Sequence, residues 1–291
     1  MSEKVELART DGENISGIRA LNDSEVHEIR ACNTSVFDFN RHFKLVEYVS
    51  YNYDCLKDHI ESNLIEFSED QNNLGNYDID RLSHGVNILL LNFMMSVRTF
   101  LDHMETHVKR TYGKISCETD LLKNLTSTEF DSKFSYRFMY KLRNYVQHCG
   151  MPPINYTKTK VLKGDNPRAS IVAEFDRNAL LFGFDSWGAK VKPDLEALGN
   201  NFSVFDTIYE FYWSILSVYV RFTDATTFPA TLNAKARILE IIEQPESYRK
   251  DDYCLLNIHD RGEGKIDLNM SWVPASLFQK IDQYLSIKNE I

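Results

Sequence analysis

Arg143, Asn144 and His148 fall within six residues of one another, in the run K-L-R-N-Y-V-Q-H-C-G-M-P-P from residue 141 to 153. Arginine does not lose its proton, and its planar fork matches phosphate oxygens. Histidine exchanges protons near neutral pH, and asparagine beside them can orient either the imidazole or a scissile group. This set suits cleavage of RNA without a metal. A 2′-hydroxyl attacks its neighbouring phosphate, the histidine moves protons, and the arginine holds the charge that develops. The same residues also describe an ordinary helix end, where the dipole favours cationic side chains on a solvated face. Spacing by itself leaves both readings open.

The element that must carry these residues is a helix over residues 132–149, stopped by Gly150 and the Pro152-Pro153 pair. At about 100° per residue, Phe134, Phe138, Leu142, Tyr145, Val146 and Cys149 form its inward side. Asn144 and His148 share a polar stripe. Arg143 lies across the same outward face with Tyr136, Tyr140 and Gln147, so Tyr136 or Tyr140 is expected to line a cleft or a dimer seam. Lys141 and Gln147 complete the substrate-facing set.

The preceding helix starts at Asp80 or Ser83 and runs to Tyr112. Its first half is apolar nearly all round, which makes it central, and its charged second half is expected to emerge towards solvent. Arg98, Asp102 and His103 on this helix are candidates to support the motif. His103 and His107 stand one helical turn apart, as metal ligands would, but Glu105 has the wrong offset for the zincin pattern. A solvated polar face is the simpler reading, so neither a metal nor a cofactor is expected.

Around this pair the chain reads as mainly α. Residues 1–35 form a polar, turn-rich N-terminal segment with a short helix at 24–32, and a further helix spans 40–67. Ser127 to Asp131 reads as the cap of the motif helix at 132–149. Residues 156–176 change to a two-residue period and predict a β-hairpin, on which Lys158, Lys160 and Lys163 are either a solvated face or an RNA clamp. Residues 202–222 return to a strongly apolar helix. The expected organisation is a helical bundle over 36–226 followed by a small α+β appendage at 227–291.

The net charge of −9 argues against a chain that coats nucleic acid indiscriminately. The charge is segregated, however: residues 133–168 hold eight basic side chains and one acid, a local +7, and the motif lies in that window. Five scattered cysteines without C-x-x-C spacing read as reduced, mostly buried thiols. With no apolar leader and no membrane-length apolar run, a cytoplasmic chain without membrane contact is expected.

The string Arg143-Asn144-Tyr145-Val146-Gln147-His148 resembles the R-x-x-x-x-H signature of HEPN (higher eukaryotes and prokaryotes nucleotide-binding) domains, in which a polar residue, often Asn, directly follows the Arg. The resemblance covers about residues 40–225. It implies an antiparallel helical bundle that pairs as a homodimer, so that two motifs face one RNA-cleaving cleft. It further implies Arg143 and His148 as essential and Asn144 as supportive. Many such proteins are toxins or phage-defence effectors, which brings in an antitoxin or regulatory protein as a partner. Others of the family have lost catalysis and bind RNA, a nucleotide or a protein. The hairpin and the tail lie outside the minimal pattern.

Overall fold

The computed structural model describes residues 5–69, 76–161, 168–242, 252–260 and 266–291. The expected breaker Gly75, Lys163 and the turns at 164–167 and 261–265 lie outside the described residues. Those described are mainly helical, with nine α-helices and two small antiparallel sheets. None of their helices is long and apolar enough to cross a membrane.

The chain divides into two compact units, Leu45–Phe222 and Met1–Lys44 with Thr223–Ile291. This differs from the linear division into 1–35, 36–226 and 227–291. The polar, turn-rich N-terminal segment forms strands β1 (Val5–Thr10) and β2 (Ile15–Leu21). They join β6 (Asp252–Asp260) and β7 (Ile266–Val273) in a sheet of order β2-β1-β6-β7, with Leu7 opposite Leu255. The tail is thus completed by the chain's first residues. Each strand of β1 and β2 alternates too briefly, and carries too many charges, to announce itself without its partner.

The helices expected at 24–32 and 40–67 are one helix, α1 (Asp23–Glu69), of 47 residues. Its inward row runs Val26, Ile29, Asn33, Val36, Asn40, Phe43, at threes and fours. Two asparagines in that row interrupt the apolar period, although both are buried. Asn33 Nδ2 donates to the Trp272 carbonyl at 3.1 Å, a tertiary bond that overrides asparagine's weak helix propensity.

In the unit Met1–Lys44 with Thr223–Ile291, rings form the core. Phe39 stacks on Phe43 at 5.6 Å, and Tyr284 of α9 (Phe278–Glu290) lies 4.3 Å from Phe228, centroid to centroid. Phe228 opens α8 (Phe228–Ile242). The Tyr284 hydroxyl donates to Asp224 at 2.8 Å, so the phenol is buried without being stranded.

The unit Leu45–Phe222 holds the motif. The end of α1 packs on α2 (Asn76–Thr111), where Gly85 permits close approach: a Cβ there would meet the His59 ring at 2.2 Å. Next comes α3 (Cys117–Ser132), capped by Ser116, whose Oγ accepts from the Thr119 amide at 3.1 Å. The start expected at Ser127–Asp131 therefore falls inside α3, and the break comes at Lys133 instead. The motif helix is α4 (Phe134–Cys149). The predicted hairpin forms as β3 (Ile154–Val161) and β4 (Arg168–Asp176), and β5 (Asn201–Ser203) adds a third strand. Two short helices, α5 (Arg177–Gly183) and α6 (Gly188–Ala197), precede the apolar α7 (Val204–Ala225).

Candidate nucleic-acid site

Helix α4 is packed on two sides, and this decides where each motif residue goes. Phe138, Leu142 and Tyr145 are buried on one side. There the Trp187 ring stacks on Phe138 at 5.6 Å and on Tyr145 at 5.8 Å, and Trp187 Nε1 donates to the Leu180 carbonyl at 3.1 Å. Tyr136 and Met139 are buried on the other side, where Tyr136 meets Phe211 of α7 edge-on at 5.5 Å. Tyr136 is only 4% exposed, so the expectation that it stands on an outward face is corrected. The wheel assumed one inward side; a helix held between two layers has two. Val146 and Cys149 depart in the opposite sense, being half-buried and exposed. Among the five thiols only Cys254 is buried.

Arg143 and Asn144 line a small cavity of about 100 Å³ with Arg98, Tyr140, Met94 and Phe211, among others. That is several times the ~30 Å³ one water occupies in the liquid. Arg143 Nη1 donates to Asn144 Oδ1 at a long 3.5 Å. Its Nε–H is buried and has no hydrogen-bond partner among the described residues. Such a donor costs roughly 1–3 kcal/mol of stability. Among the residues that line this cavity, Arg143 is the one with a buried atom in this state.

Arg98 forms one wall. It pairs with Asp102 at 2.8 Å, donates to the Tyr140 hydroxyl at 3.4 Å, and lies over that ring at 5.9 Å. Arg98 thus lines the cavity that holds Arg143 and Asn144, and Asp102 is held against Arg98. His103 is exposed and lines neither this cavity nor its neighbour. The His107 ring Nδ1 lies 3.4 Å from the Thr111 hydroxyl, and the described residues hold no group of three His, Cys, Asp or Glu side chains placed to hold a metal ion.

His148 and Gln147 are exposed in the last turn of α4, and neither lines this cavity or its neighbour. Lys141 lies against Gly188 at the start of α6, on the far side of α4 from Arg143. Lys158 and Lys160 both hold their ammonium groups over the Phe67 ring, at 5.2 and 5.6 Å. Lys160 also donates to the Phe67 carbonyl at 3.0 Å, supplying the positive charge that the last turn of α1 lacks. The basic window is similarly reduced, since Lys133 pairs with Glu129 and Arg137 with Asp194.

One wall of the site was not anticipated. A second cavity of about 450 Å³ adjoins the first and shares Arg98, Leu101 and Tyr140 with it. Its outer wall is α3, through Thr119, Leu122, Lys123 and Thr126. The spacing of these four at threes and fours, with two threonines inside a helix, was the available signal. Burial pushes the Tyr136 phenol well above the usual tyrosine range, with nearby Glu129 adding to the effect.

Compared with protein-family models, with curated proteins and with solved structures, the chain matches none of them.

Proposed function

We propose that this chain is a metal-independent endoribonuclease of HEPN type that works as a homodimer. The observation that carries the reading is Arg143, which lines a cavity together with Asn144 and keeps a buried, unpartnered Nε–H, on the helix whose last turn exposes His148. Arg143 holds the scissile phosphate and Asn144 orients it. His148 takes the proton of the attacking 2′-hydroxyl, or returns one to the departing 5′-oxygen, leaving a 2′,3′-cyclic phosphate and a 5′-hydroxyl. An exposed histidine outside its own chain's cavity fits a site completed by a second copy, whose histidine takes the other proton role. A cytoplasmic enzyme of this kind needs restraint, so an antitoxin-like regulatory partner and a toxin or phage-defence role belong to the reading.

The test is cleavage of labelled RNA by the purified chain with EDTA present. Wild type is expected to yield cyclic-phosphate ends, and Arg143→Ala and His148→Ala to yield none. Equal cleavage by wild type and both variants would overturn the assignment.

A second reading, a non-catalytic helical module that binds RNA, a nucleotide or a protein, is favoured by one observation: His148 lines neither cavity. It predicts RNA binding that Arg143→Ala weakens and His148→Ala leaves alone, with no cleavage by any form.

A further inference from the structure

We propose that the larger cavity, between α2, α3 and α4, is a nucleobase subsite that takes a purine of the RNA held at Arg143. The proposal rests on the RNA-binding part of the reading above. The cavity volume, about 450 Å³, lies within the range of sites that enclose small molecules. Its apolar lining comes from Leu101, Val108 and Leu122, and its aromatic lining from Tyr136 and Tyr140. The charges at its edge are mostly spent on each other, Arg98 on Asp102 and Lys109 on Glu105. Thr119, Lys123 and Thr126 complete the lining, so apolar and aromatic walls suited to a flat ring stand beside hydroxyls and one further cation.

The shared wall gives the connection. Arg98, Leu101 and Tyr140 border both cavities, so a phosphate at Arg143 and a base of the same strand fall on either side of one wall. Tyr140 is 41% exposed and can offer its ring for stacking, which any base accepts. Selectivity for a purine comes from deeper contacts. The larger ring system reaches further along the apolar wall. The Tyr136 hydroxyl has no hydrogen-bond partner among the described residues and remains protonated, a donor suited to a purine ring nitrogen. Thr126 Oγ1 donates to the Leu122 carbonyl at 3.0 Å, which leaves its lone pairs to accept from an exocyclic amine.

The experiment measures binding of the full chain to fluorescent hexanucleotides, 2′-O-methylated so that they cannot be cut. Each position in turn carries adenine, guanine, uracil, cytosine or no base. At one position, adenine and guanine are expected to bind at least fivefold tighter than uracil and cytosine, and at least tenfold tighter than the abasic strand. Thr126→Trp, which fills the cavity from α3, is expected to erase that preference. Tyr136→Phe keeps the ring, removes the hydroxyl and narrows the preference at least threefold, which provides a test even if the tryptophan variant does not fold. Binding indifferent to the base at every position would overturn the subsite, as would an undiminished preference in both variants. Cleavage of natural RNA distinguishes the two proposals: cleavage without base preference removes the subsite alone, and base preference without cleavage removes the catalytic reading alone.

Discussion

The two sides of α4 solve different problems with one helix. Towards the small sheet and α6, Phe138 and Tyr145 stack on Trp187, Phe175 and Phe202 close the ring cluster, and Arg137 is held by Asp194. That side is filled by ring contacts and an ion pair. Towards α2, the same helix borders two cavities and holds an arginine with a buried, unpartnered N–H. The first side is built to hold the helix still, and the second is left incomplete. A site that must grip a ligand needs both, because polar groups aimed at a ligand position nothing unless the element carrying them is fixed.

That contrast can be broken most decisively at the motif. His148→Ala is expected to lower RNA cleavage by about 10²–10⁴, the range of general acid–base catalysis, while its unfolding midpoint in denaturant stays at the wild-type value. A parallel loss of stability would mean that the two sides are not separate. Trp187→Ala attacks the packed side and is expected to cost about 3–5 kcal/mol in equilibrium unfolding, since it removes a fully buried ring that two others stack on.

Arg143→Met sharpens the comparison further. It should abolish cleavage, yet leave stability unchanged or raise it by up to about 3 kcal/mol, because the stranded donor disappears. A clear destabilisation would place Arg143 among the structural groups. The smallest effect concerns alkaline pH. Burial raises the Tyr136 phenol above its unfolded value of about 10, so its contribution to stability is whole below that pH and declines as pH rises beyond it. Tyr136→Phe is expected to flatten part of the decline seen by circular dichroism; Tyr156, raised by burial in the same way, accounts for more of it.

Much of this was legible in the residues. The apolar period of α2 and α7, the hairpin at β3 and β4, and the Gly-Pro stop of α4 all follow from local pattern. So does the grouping of Arg143 with Asn144. What escaped has a common physical origin in partners remote along the chain. Asn33 and Asn40 broke the visible period of α1, although the Asn33 amide nitrogen finds a carbonyl 239 residues away. Tyr136 went to the wrong side because a wheel has no knowledge of a second packed layer. Lys158 and Lys160 looked like free cations because nothing local shows that Phe67 lies beneath them.

The pairing of β1 with β6 has a consequence for how the polypeptide comes into being. Val5 finds its neighbour in Asn257, so β1 leaves the ribosome long before the strand it pairs with. At roughly 5–20 residues per second, β1 and β2 wait on the order of ten to fifty seconds for β6 to arrive. The residues of Leu45–Phe222, which include the motif, are complete well before then. During synthesis the cleft-bearing half can therefore take shape while the terminal sheet still has an open edge, exposed to any strand that reaches it first.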